Sequence, residues 1–222
     1  KALDFYKKAL KIDKENLIIL NNISKIQIDL GLLDDSYKNL KKIIKKNPTY
    51  SKAYNNISNY YYEKGNIEES IINAQKALDC IKEEKDLPEI YNNIGNCHKA
   101  LGEIDKSIIS YKKSLEFVNA PAEAFMQLSY LNKIQINDPI IKKMENHKNK
   151  NIALKEKATI GFGLYKVYED NEDYERAFLN LKEANLIYNR INKPIDIKRL
   201  ENDYNTKKEI YSHKTFSNYN SS

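Results

Sequence analysis

The chain has 222 residues, 41% hydrophobic and 31% charged, a balance that predicts a folded chain and not a disordered one. The net charge of +6 is spread along the chain and interleaved with acidic residues, which argues against a nucleic-acid surface. No apolar run of about 18 residues exists, which excludes a membrane-spanning helix, and six glycines with five prolines favour long helices over many short strands.

Residues 1–16 read as a single amphipathic helix carrying Ala2, Tyr6, Ala9 and Leu10. The chain opens inside this helix, at Lys1 and not at methionine, and so reads as a fragment or a processed product. No signal peptide is visible, and a cytoplasmic location is the expectation. Next comes Leu20-Asn21-Asn22-Ile23, whose block recurs as Tyr54-Asn55-Asn56-Ile57 and Tyr91-Asn92-Asn93-Ile94. A glycine follows the first residue of each block by eleven positions (Gly31, Gly65, Gly102), and a serine follows each glycine by five (Ser36, Ser70, Ser107). The units are 17–50, 51–84 and 88–121, with three extra residues before the last. A period of about 34 residues predicts a helical repeat array.

Each unit reads as two helices. In 51–84 the first carries Ala53, Tyr54, Ile57, Tyr60 and Tyr61, and Gly65 sits where it must stop. The second carries Ile67, Ser70, Ile71, Ala74, Ala77 and Leu78, whose small members let the two axes approach closely. Lys41-Lys42-Ile43-Ile44-Lys45-Lys46 reads as a solvated face around a buried isoleucine seam. Residues 122–191 are degenerate units: a first helix from Ala122, a break at Asn137-Asp138-Pro139 followed by only a short helix, and an exposed loop at 146–151. A further pair begins near 154 and turns at Asn171-Glu172-Asp173. Residues 192–222 read as a last amphipathic helix, Ile195 to about Tyr211, then a polar tail from Phe216.

This pattern resembles the tetratricopeptide repeat (TPR). The signature positions are Tyr54, Ile57, Ser58, Tyr61, Ser70 and Ala74 in one unit, and Tyr91, Ile94, Gly95, His98, Ser107 and Tyr111 in the next. Leu20, Ile23, Ser24, Ser36, Leu40 and Pro48 match in the first unit. The resemblance implies an all-α fold, a helical-hairpin solenoid in a right-handed superhelix, with 1–16 a partial repeat and the C-terminal repeats degenerate. A second resemblance covers residues 138–216. Asp138-Pro139-Ile140, Gly161-Phe162-Gly163-Leu164-Tyr165-Lys166, Tyr168-Glu169-Asp170, Asp173-Tyr174, Ala177-Phe178 and Ala184-Asn185 are similar to the TPR region preceding the sulfotransferase domain of bacterial TPR–sulfotransferase proteins.

Chemistry is not foreshadowed. No glycine-rich phosphate loop is present, His98, His147 and His213 are far apart, and Cys97 and His98 diverge around a helix. Cys80 and Cys97 read as buried free thiols, and the seventeen tyrosines mostly as core filling, with two rings of Tyr60-Tyr61-Tyr62 inward and one outward. No catalytic residue, metal or cofactor is expected. What remains is a groove. In the family the first helices line the concave surface, and the resemblance places Asn21, Asn22, Lys25, Asn55, Asn56, Asn59, Asn92, Asn93 and Asn96 there. Asn22, Asn56 and Asn93 share one phase and resemble the asparagine ladder of O-linked N-acetylglucosamine transferase. The expected partner is a protein or extended peptide, with self-association through the exposed repeat ends as a further expectation. The alternative is the non-catalytic TPR portion of a sulfotransferase whose catalytic domain lies beyond this chain.

Overall fold

The computed structural model describes residues 2–191. The helix expected over 195–211, the tail and His213 lie outside these residues. Eleven α-helices and a 3-10 turn make up the described part, with no strand among them. α1 (Ala2–Ile12) leads into three antiparallel pairs: α2 (Leu17–Asp29) with α3 (Leu33–Lys46), α4 (Ser51–Glu63) with α5 (Ile67–Asp79), and α6 (Leu87–Ala100) with α7 (Ile104–Ser114). The three extra residues before the third unit, 85–87, overlap the 3-10 turn Glu84–Asp86, and the last of them, Leu87, opens α6. Then come α8 (Ala122–Leu131), the short α9 (Pro139–Lys148), and the pair α10 (Leu154–Asp170) with α11 (Tyr174–Ile191).

The first helix of each pair ends by one device. Gly31, Gly65 and Gly102 adopt φ of +73°, +78° and +74°, and the residue after each donates to a carbonyl five positions back at 2.8–2.9 Å. Glu172, at φ +62°, fills the same role after α10, where Asp173 N–H reaches the Tyr168 carbonyl at 2.9 Å. This left-handed geometry at a non-glycine residue marks the degenerate unit.

Within each pair the helices are tied by the serine of fixed phase. Ser36, Ser70 and Ser107 donate to the carbonyls of Ser24, Ser58 and Gly95 at 2.9, 2.7 and 2.9 Å, and all three are fully buried. Serine is small enough to keep the close approach and adds a bond. A second tie recurs with its direction reversed. Ser51 donates to the Ala77 carbonyl at 2.8 Å, whereas in the next unit Ser114 donates to the Pro88 carbonyl at 2.7 Å. Proline has no hydroxyl to offer, so the donor moves to the other helix. Ser70→Ala is expected to lower stability by about 0.5–1.5 kcal/mol in a denaturant melt, the net worth of one buried hydrogen bond.

Leu40, Ile43, Ala74, Ala77 and Tyr111 are fully buried along the pair seams. The largest core cluster lies in the degenerate part, where Phe125 and Leu128 of α8 meet Ile141 and Met144 of α9 and Ile160 and Leu164 of α10. α8 packs directly on α10. Gly163 allows that approach: a Cβ there would lie 2.9 Å from Met144 Cε and 3.1 Å from Met126 Cα.

Two expectations are corrected. Residues 146–148 belong to α9 and not to an exposed loop, and His147 is half-buried with its ring edge-on to Phe125 at 5.6 Å. The Asp138 carboxylate caps α9 by accepting the Ile140 N–H at 2.9 Å. Cys97 is buried as expected, but Cys80 sits at the C-cap of α5, half-buried. Of the three successive tyrosines, Tyr60 is buried, and Tyr61 and Tyr62 are half-buried.

Candidate functional site: the asparagine seam

α2, α4 and α6 stand side by side and carry every residue of the expected groove. The amides do not form a free row. They interlock between repeats. Asn56 Nδ2 donates to Asn21 Oδ1 at 2.9 Å, and Asn93 Nδ2 donates to Asn55 Oδ1 at 2.9 Å. In each rung the second asparagine of one unit bonds the first asparagine of the unit before it. Asn21, Asn55, Asn56 and Asn92 are buried, with exposures of 3–6%. Asn22, Asn59, Asn93 and Asn96 are half-buried, and Lys25 is exposed. Asn96 Oδ1 accepts the Tyr111 hydroxyl. Lys25 of α2 reaches past α4 to an ion pair with Glu89 of α6.

Two hollows flank Asn93. One, of about 190 Å³, is lined by Asp29, Asn59, Tyr62, Glu63, Asn93 and Asn96 among others. The other, of about 310 Å³, is lined by Lys25, Glu89, Asn92, Asn93, Asn119 and Pro121 among others. Sequence reasoning missed the acidic members. Their signal was helical spacing: Asp29 and Glu63 follow Lys25 and Asn59 by four residues, and Glu89 precedes Asn93 by four. Burial pushes the Tyr62 hydroxyl above its ordinary pKa, and burial likewise raises the Cys97 thiol. Asn92 Oδ1 differs from its counterparts, being buried without any hydrogen-bond partner.

Among the described residues no group of three His, Cys, Asp or Glu side chains is placed to hold a metal. None of their helices is long and apolar enough to cross a membrane. His98 Nδ1 pairs with Glu103 at 2.6 Å, and Glu103 also accepts from Lys106. Lys106 and then His98 hold the Glu103 carboxyl below its usual range.

Residues 49–120 match the family model of the tetratricopeptide repeat. The fold is a TPR solenoid. The chain is similar to TTC0263, a thermophilic TPR protein of Thermus thermophilus, at 19% identity and a TM-score of 0.55, covering 83% of this chain and 89% of that one. Yeast Tom70 gives a TM-score of 0.60 at 14% identity, covering 95% of this chain but 43% of that one. A chain of the APC/C hetero-tetramer Cut9–Hcn1 gives 0.55 at 15% identity, covering 82% of this chain and 32% of that one. No curated protein sequence matches the chain. The matched stretch contains the two most regular TPR units, α4 to α7.

Proposed function

We propose that this TPR chain is a binding scaffold that holds an extended peptide or protein segment along the face formed by α2, α4 and α6. The observation that carries the reading is the polar trough around Asn93, where two hollows are lined by amides and by side chains of both charges. Amides offer donors and acceptors to a peptide backbone without demanding a sequence. The Cut9–Hcn1 structure, one chain of which shares the fold, is a hetero-tetramer, and a comparable use of the fold in assembly is proposed here. Catalysis belongs to no residue of the chain in this reading. Self-association is part of the same proposal, because Phe5 and Ile12 on α1 and Phe178 on α11 leave apolar surface at both ends of the described array. The alternative, a non-catalytic portion of a sulfotransferase, rests on the sequence resemblance of residues 138–216 alone.

The trough is tested by selecting a library of 12-residue linear peptides against the wild-type chain and against Asn59→Trp. The indole is placed to fill the smaller hollow, next to half-buried Asn59. Peptides enriched on wild type are expected to lose at least about tenfold in affinity on Asn59→Trp, while Ile72→Trp, on exposed Ile72 of the second helix, keeps it. Equal binding to all three proteins contradicts the trough as the site.

A further inference from the structure

The two closed rungs define a rule that the third rung breaks. In each closed rung the first asparagine's Oδ1 faces the next unit's first helix and accepts from its second asparagine. Asn92 is the first asparagine of the third unit, and the next first helix is α8. The position equivalent to Asn56 and Asn93 on α8 is Gln127. Its amide is turned elsewhere: Gln127 Nε2 donates to Glu123 at 2.7 Å, and its Oε1 accepts from Lys99 at 2.7 Å. The third rung stays open. Asn92 is 6% exposed, and its Oδ1 is the one buried side-chain oxygen or nitrogen without a partner among the described residues. Leaving such an acceptor dry is costly, so a donor from elsewhere is favoured.

The hollow beside it says where that donor would enter. The space of about 310 Å³ lies in the seam between α6 and the lead-in to α8, with Asn92 and Asn93 on one side and Asn119 and Pro121 on the other. Lys25 and Glu89, already paired with each other, stand at its rim. Lys85 lines the hollow too and is paired with Glu83, so each charge there already has a partner and the unmet need is for a hydrogen-bond donor.

We infer that Asn92 Oδ1 is the anchor of the trough and accepts a main-chain N–H from an extended peptide entering the seam between α6 and α8. This rests on the peptide-binding reading above and sharpens it. The asparagines of the closed rungs are structural, and the unit whose successor carries glutamine in place of the second asparagine is the one that binds. Gln127 sets this by being one methylene longer than asparagine and bonded to Glu123.

The test separates the two levels. A 12-residue linear peptide enriched on wild type is resynthesised with single backbone esters, each replacing one N–H by oxygen. One ester position is expected to weaken binding by roughly tenfold, the loss of one buried hydrogen bond with its acceptor left unpaired. That same ester should make little further difference in Asn92→Ala. Gln127→Asn, which supplies the missing rung, should raise the melting temperature and also weaken the parent peptide by roughly tenfold. If no ester position matters and Gln127→Asn binds as wild type does, the anchor is wrong and a buried water fills Asn92, although the trough survives. If no peptide is enriched at all, the binding reading itself fails first. The ester scan needs only wild-type protein, so it decides even where Gln127→Asn folds poorly.

Discussion

Leu128→Ala is expected to destabilise the chain by about 2–5 kcal/mol and to split its unfolding. Leu128 is 1% exposed and sits where α8 faces both α7 and α10, in the cluster with Tyr111, Leu115, Phe125 and Leu164. Truncation removes the transfer energy of the lost atoms and leaves a cavity that helices tied on both sides cannot collapse. A solenoid is held by contacts between neighbours, so weakening one interface uncouples the units on either side of it. A denaturant melt followed by circular dichroism should show an earlier first transition in the C-terminal part and a second one for α2 to α7. A single transition at the wild-type midpoint would show that α8 does not join the regular and degenerate parts.

Ala77→Phe should cost at least about 1–3 kcal/mol by overpacking. Ala77 is fully buried on α5, and its carbonyl accepts the Ser51 hydroxyl at 2.8 Å, so α4 and α5 are held together at this height. Ala74 and Ser70, also fully buried, continue the same close seam. An aromatic ring has nowhere to go without parting the helices and breaking the serine tie. Ile72→Trp on the same helix, at a position 53% exposed, is the control and should be nearly neutral. An Ala77→Phe midpoint equal to wild type would count against the close packing of the pair.

The regular units are legible in the sequence because their signals are local and repeated. Three glycines in phase give three left-handed turns, and three serines in phase give three ties. The degenerate part is harder to read. Glu172 makes the same turn without a glycine, so composition alone does not locate it. The loop expected over 146–151 rests on a run of asparagine and lysine, yet Ile140, Met144 and His147 keep helical spacing up to Lys148. The asparagines are legible as a set of positions and illegible as a set of bonds. Equal phase places Asn22, Asn56 and Asn93 together, but the partner of Asn56 is Asn21, and that of Asn93 is Asn55, more than thirty residues away. Side-chain pairing across repeats depends on how closely the first helices stack, which periodicity does not carry. The orphaned acceptor on Asn92 follows from one substitution in the next unit, Gln127, and becomes visible only once the closed rungs are seen.

The most direct test of the account is the footprint of an enriched 12-residue peptide, read by amide hydrogen exchange on the full chain with and without it. Binding along the first helices predicts added protection in α2, α4, α6 and the start of α8, with α3, α5 and α7 unchanged. Protection confined to α3, α5 and α7, or to the ends of the array at α1 and α11, would contradict it.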